Sequence, residues 1–249
     1  MSTPEPRVAL VTGASRGIGR ATAIALGAQG VRVAINYRSQ EAAAQETASS
    51  VAAAGGPAPL LVRADVGQPK EAQRLVAAVL EGAGRVDYLV NNAGIQRSAM
   101  VHKMSDEDWA QVMDVNLGGV FQVSRAALKS MRAQGFGRIV HVGSASSSVA
   151  QPGVASYVAS KQGLIGLTKV MALENAAKGI LVNLVAPGLT ETDMVAELRP
   201  EQRAGLEKII PLGRIASSEE VARMIVFVLT GATYSTGNVF HVSGGVAME

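Results

Sequence analysis

The sequence predicts an α/β fold, a doubly wound, seven-stranded parallel sheet flanked by helices on both faces. Three observations predict it. Short Val-rich apolar runs alternate with Ala-rich stretches of helical spacing along the chain, the pattern of a parallel sheet covered on both sides. A glycine-rich turn, Thr12-Gly-Ala-Ser-Arg-Gly-Ile-Gly19, separates the first strand from its helix, where bare backbone and a helix N-terminus suit a pyrophosphate. The 249 residues, 48% hydrophobic and 17% charged, are enough for one large core, and no linker-like stretch divides them. A single domain over 1–249 is expected.

The elements follow in order. Val8–Thr12 reads as a strand ending at the turn, Ile18–Gly30 as a helix, and Val31–Asn36 as a second strand. Gln40–Ala54 is an Ala-rich helix stopped by Gly55-Gly56-Pro57, and Leu60–Ala64 a third strand. Pro69–Glu81 is helical, Tyr88–Asn91 a strand, and Ser105–Ala133 a long helical region whose Ser105-Asp-Glu-Asp108 start places an N-cap before acids in the first turn. Arg138–Val142 is a strand, Ser144–Ser148 a loop, Tyr157–Lys178 a helix and Leu181–Ala186 a strand. A Pro-flanked irregular stretch to Pro211, a helix over Ser218–Leu229 and a closing strand over Val239–Val242 complete the chain.

Composition narrows the function. Without cysteine there are neither disulfides nor thiolate metal sites, and His102, His141 and His241 are scattered, so a metal centre is not expected. The net charge of +3 is spread among interleaved acids and bases, which suits an anionic cofactor and gives no basic face for nucleic acid. The N-terminus lacks a basic n-region followed by an apolar core, and the longest apolar stretch, near Met224–Leu229, is too short for a bilayer. A cytoplasmic protein without a membrane partner is expected.

Two groups of residues carry chemistry. Gly13, Gly17 and Gly19, with Ser15, Arg16 and Ile18 between them, form the phosphate turn. After the second strand, where an acid would bind a ribose diol, the chain has Asn36-Tyr37-Arg38. Arg38 and Arg16 would pair with a 2′-phosphate, which predicts NADP(H) over NAD(H) unless both are ordinary surface arginines. Tyr157 and Lys161 lie four residues apart, on one face of a helix, so the ammonium can lower the phenol's pKa and make it a useful acid–base group. Ser144 follows a strand at the carboxyl end of the sheet, in reach of a substrate oxygen. Asn91 either touches cofactor or ties strands together.

The turn spacing Gly-x-x-x-Gly-x-Gly after Thr12, then Asn91-Asn-Ala-Gly94, Asn116, Ser144, Tyr157, Lys161 and Pro187-Gly188, in that order over nearly the whole length, resembles the short-chain dehydrogenase/reductase family. The resemblance implies a Rossmann-like fold. It implies that Asp65 and Val66 meet adenine, that Asn92, Ala93 and Gly94 lie beside the cofactor ribose, and that Lys161 and Tyr157 hold its nicotinamide ribose. Pro187, Gly188, Thr190 and Thr192 would orient the carboxamide, and Asn116 would kink its helix and hold a water that relays protons to Lys161. Residues 190–212, with Met194, Val195 and Leu198 among charges, would form a substrate lid, or else a surface helix pair without gating.

Within the family, Thr12–Arg20, Leu164-Ile-Gly-Leu167 and Val185–Met194 resemble the bacterial 3-oxoacyl thioester reductases. That implies NADPH-dependent reduction of a 3-oxoacyl group to the 3-hydroxyacyl product; the same stretches occur in sugar, polyol and small-ketone reductases. An acyl carrier protein is an implied partner, but two positions that are basic in carrier-accepting members hold Gly135 and Leu173, with Lys129, Arg132 and Lys169 nearby. CoA-linked and free substrates therefore stay open. Apolar residues on more than one stripe of the Tyr157 helix predict a homo-oligomer, a tetramer by resemblance. A non-catalytic dinucleotide-binding regulator is the competing class, against which an intact Ser144, Tyr157 and Lys161 argue.

Overall fold

The computed structural model describes residues 5–147, 151–191 and 199–248. Among them, seven strands form one parallel sheet in the order β3-β2-β1-β4-β5-β6-β7. These are β1 (Val8–Val11), β2 (Arg32–Tyr37), β3 (Leu60–Arg63), β4 (Tyr88–Asn91), β5 (Gly137–Val142), β6 (Ile180–Pro187) and β7 (Val239–Val242). The helices are α1 (Gly17–Gly27), α2 (Glu41–Ala53), α3 (Pro69–Ala83), α4 (Asp106–Met113), α5 (Val120–Gln134), α6 (Ala155–Asn175), α7 (Pro200–Lys208) and α8 (Ser218–Thr230).

The central strands are buried on both faces, which is why they read as unbroken Val, Ala and Leu rather than as an alternation. One face packs Val11, Val33 and Val90 against Leu26 of α1, Val51 of α2 and Ile225 of α8. The other packs Leu10, Leu89 and Ile139 against Leu75 of α3, Val123 and Met131 of α5, and Met171 of α6. In register, Val11 stands beside Ile35 on one side and Val90 on the other. The chain thus reverses its strand order between β1 and β4, and a crevice opens above their carboxyl ends.

The opposite end of the sheet is closed by charge. The Asp87 carboxylate is fully buried and accepts from Arg7 Nη1 (2.7 Å), from Arg85 Nε and Nη2 (both 2.7 Å) and from the Val8 N–H (2.9 Å). Burial alone would raise its pKa, but these bonds outweigh it and hold the carboxyl below its ordinary value.

One feature departs from the sequence reading, and another gives form to the kink implied at Asn116. The stretch read as irregular contains α7, which begins with Pro200 in its first turn and a Gln202 side chain accepting from the Arg199 N–H (3.1 Å). Its Pro-Glu-Gln-Arg-Ala-Gly-Leu-Glu-Lys sequence has no buried residue, so apolar periodicity could not announce it. The long helical region is interrupted by a π-helical turn at Asp114–Gly119 that separates α4 from α5, as single-turn bulges do near functional sites. Thr192, Met194, Val195 and Leu198 lie outside the described residues.

Candidate active site

The glycine turn is fixed from below by Asn36. Gly13 has φ +61 and Gly17 φ +54, left-handed backbone that suits glycine. The Gly13 N–H donates to Asn36 Oδ1 (3.2 Å), while Asn36 Nδ2 donates to the carbonyls of Val62 (3.2 Å) and Ala64 (3.1 Å). One buried amide thereby ties the β1, β2 and β3 ends into a single rim. Gly19 is where α1 comes closest to that rim, because a Cβ there would stand 2.5 Å from the Gly13 carbonyl oxygen and 2.6 Å from Asn92 Nδ2.

The far wall is stapled to the turn. Thr12 Oγ1 accepts from the N–H groups of Asn92 (2.9 Å) and Ala93 (3.0 Å), and Asn92 Nδ2 donates to the carbonyls of Thr12 (2.9 Å) and Gly13 (3.1 Å). Between these walls runs a cleft of about 620 Å³, within the range of cofactor sites. Gly13, Ser15, Arg16, Gly17 and Ile18 line it at the turn, Arg38 beyond β2, Asp65 and Val66 beyond β3, and Asn92, Ala93 and Gly94 beyond β4. Arg16 and Arg38 are both exposed at its rim. Asn91 is not among the lining residues; its Nδ2 donates to Ser124 Oγ (2.9 Å), a tie between strand and helix.

Beyond Gly94 the cleft meets α6. A Cβ on Gly94 would be 3.4 Å from Asn116 Oδ1 and 3.6 Å from Lys161 Nζ. Lys161 is buried, and its ammonium donates to the Val142 carbonyl of β5 (2.7 Å), 5.6 Å from the centre of the Tyr157 ring. Burial pushes the Lys161 pKa down to about 8. Tyr157 is held above its ordinary value by burial, with its hydrogen bond to Ser144 acting the other way. Desolvation at the ring thus opposes the lowering that a neighbouring ammonium gives. Ser144, at the end of β5, is buried, and its Oγ accepts from the Ser146 N–H (3.1 Å).

Asn116 occupies the π-helical turn and is fully buried. Its side chain bonds both backbone groups of Ile95, accepting from the N–H (2.8 Å) and donating to the carbonyl (2.9 Å), and also donates to Ser160 Oγ (3.2 Å). Ser160 in turn donates to the Tyr157 carbonyl (2.7 Å). Asn116 therefore clamps the loop after β4 to the helix that carries Tyr157 and Lys161. Pro187 ends β6; the Gly188 N–H donates to the Val242 carbonyl (2.9 Å), and Thr190 Oγ1 donates to the Gly188 carbonyl (3.1 Å). Thr192 falls outside the described residues. The sequence reading gave no separate role to Thr12, Asn36 or Ser160; their signal was only their place inside or beside the motifs.

The profile of the short chain dehydrogenase family matches residues 7–203. The chain belongs to this family. It is 44% identical to the 3-oxoacyl-[acyl-carrier-protein] reductase of Synechocystis sp. (strain ATCC 27184 / PCC 6803 / Kazusa), over 100% of both chains. It is 40% identical to 3-oxoacyl-[acyl-carrier-protein] reductase FabG of Escherichia coli (strain K12), over 98% of each. With the protein of the same name from Staphylococcus aureus (strain Mu50 / ATCC 700699) the identity is 39%, over 96% of this chain and 98% of the other. As a short-chain dehydrogenase the protein is an oxidoreductase acting on CH–OH or C=O groups, with a nicotinamide dinucleotide as cofactor. The cleft fits that group: side chains are excluded at Gly19, the turn leads into the N-terminus of α1, and two arginines stand at the rim. Among the described residues no helix is long and apolar enough to cross a membrane, and no cluster of His, Asp and Glu could hold a metal ion.

Proposed function

We propose that the protein is an NADPH-dependent reductase of 3-oxoacyl thioesters. The observation that carries this reading is the meeting of Ser144, Tyr157 and Lys161 with the Gly94 end of a nucleotide cleft whose other end carries Arg16 and Arg38 and no acid at the β2 end. The bound cofactor supplies the hydride that goes to the carbonyl carbon. Tyr157 donates its hydroxyl proton to the carbonyl oxygen as negative charge develops there, and the Ser144 hydroxyl hydrogen-bonds the same oxygen. Lys161 holds the ribose hydroxyls, and its ammonium stabilises the phenolate that proton loss creates. Asp65 and Val66 meet adenine, Asn92 and Ala93 flank the cofactor ribose, and Pro187, Gly188, Thr190 and Thr192 orient the carboxamide. The Asn116 backbone holds the relay water. The segment 190–212 serves as lid, and α7 within it is tied by the Arg203–Glu191 pair to the segment's own first turn.

The substrate is tested by assaying acetoacetyl-CoA and a carrier-linked 3-oxoacyl thioester with NADPH. Turnover of at least one is expected, and turnover of neither removes the thioester assignment. Across pH, kcat/KM for reduction should hold level up to about 8 and fall above it. Reduction needs a protonated Tyr157, which its raised pKa preserves, and a charged Lys161, which deprotonates first. A profile rising through pH 8 to 9 would contradict these roles. The surface offered to a carrier has Leu173, 84% exposed, and the Gly135 cap, and Arg132 is engaged with the Glu174 carbonyl (3.2 Å) and Asn175 Oδ1 (2.8 Å). Lys129 and Lys169 are exposed beside it and provide the carrier's cations.

Val170 on α6, with Trp109 on α4 and Phe121 on α5, is exposed, and these three mark the face that pairs two copies about a two-fold axis, within a tetramer built from two such dimers. A monomeric mass in solution at micromolar concentration would rule this out.

A further inference from the structure

A buried polar chain that the mechanism does not use crosses the layer beneath the site. Asn91 Nδ2 at the end of β4 donates to Ser124 Oγ of α5 (2.9 Å); Ser124 Oγ lies 3.5 Å from His141 Nε2 on β5; and His141 Nδ1 lies 2.9 Å from Thr168 Oγ1 on α6. Thr168 Oγ1 donates its one proton to the Leu164 carbonyl (2.6 Å). The proton directions then follow. Thr168 must accept from His141 Nδ1–H, which leaves Nε2 bare to accept from the Ser124 hydroxyl. All four side chains are buried, and burial together with the nearby Lys161 charge lowers the His141 pKa to about 3, so the ring stays neutral.

The two ends of this chain matter. Asn91 immediately precedes the Asn92–Gly94 wall of the cleft. His141 lies three residues before Ser144, and Thr168 seven after Lys161, two turns further along the same face of α6, about 10 Å away. Strand β5 and helix α6 are therefore joined by directional bonds at two heights, Val142 O to Lys161 Nζ and His141 to Thr168. Besides the Tyr157–Ser144 bond at the site itself, the strand and helix share the apolar cluster of Ile139, Met171 and Ala172, and such non-directional packing does not fix how far the helix slides or tilts.

We propose that His141 is a positioning residue, which through Thr168 sets the placement of α6 on the sheet and so of Tyr157 and Lys161 against Ser144. The inference rests on the reading of those three residues as the proton-transfer site. His141→Leu breaks the link, whereas His141→Asn keeps an N–H donor at the place of Nδ1; Thr168→Val and Thr168→Ser make the same contrast from the helix side. With acetoacetyl-CoA, His141→Leu is expected to lower kcat about tenfold, as small misplacements of reacting groups do, and Thr168→Val likewise, while the NADPH Kd stays within twofold. The Asn and Ser variants should keep kcat within threefold of the parent. Equal kcat within each pair, or NADPH affinity lost in parallel with kcat, overturns the proposal. If one pair does not accumulate, the other decides, and nitrogen NMR of the unsubstituted protein reads the chain directly: a neutral Nδ1–H ring at pH 5 supports it, and an Nε2–H ring or an imidazolium overturns it. Unchanged kcat in His141→Leu beside an inactive Tyr157→Phe sinks this inference alone, whereas an active Tyr157→Phe sinks the reading beneath it.

Discussion

Tyr157→Phe is expected to lower kcat for carbonyl reduction by roughly 10²–10⁴-fold, the usual worth of a positioned acid, while NADPH binds within about threefold of the parent affinity. The ring is half-buried, and phenylalanine fills the same space, so the packing of α6 is kept. What disappears is the hydroxyl that bonds Ser144 and supplies the proton. Ser160, the next hydroxyl along α6, cannot take its place, because it gives its proton to the Tyr157 carbonyl. Steady-state rates beside a fluorescence titration of NADPH separate the two effects. Activity above a tenth of the parent would remove Tyr157 from proton transfer, and a parallel loss of binding would mark it as a structural residue.

The second large effect concerns the choice of nucleotide. Combining Arg38→Asp with Arg16→Ala should lower kcat/KM for NADPH by about 100-fold and turn the preference towards NADH, since two charge-assisted bonds to phosphate are lost and a carboxylate is set against it. Both arginines are exposed at the cleft rim, so water and salt screen them and the estimate is kept below what buried pairs would give. The same screening supplies an internal check: the parent's preference for NADPH should shrink as ionic strength rises. A parent that prefers NADH, or a variant whose ratio of NADPH to NADH efficiency stays unchanged, would show that the two cations are only solvated surface.

The parts legible in the sequence were those written in local pattern. β4 and β7 run over the residues expected, Tyr88–Asn91 and Val239–Val242, because short apolar runs bounded by turn residues mark strands of a covered sheet well. The glycine turn and the cofactor residues predicted beyond β2, β3 and β4 converge on one cleft, since motif order follows strand order in a doubly wound sheet. Helix α7 escaped because an exposed helix held by Pro200, Gln202 and ion pairs has no apolar stripe. The buried ties of Asn36 and Asn91 escaped as definite assignments for another reason: an asparagine's partners are chosen by tertiary contact, 26 residues away for the Val62 carbonyl and 33 for Ser124. The desolvation of Tyr157 was not legible on the same ground, because helical spacing places a cation near a phenol but says nothing of how far tertiary packing covers the ring.

The Thr12–Asn92 staple has a consequence for turnover. Because the loops above β1 and β4 hold each other by four hydrogen bonds of their own, the nucleotide is not needed as the keystone of its own berth. Spent cofactor can depart and fresh cofactor arrive without those walls collapsing and being rebuilt in each cycle, so little binding free energy is diverted into ordering the chain.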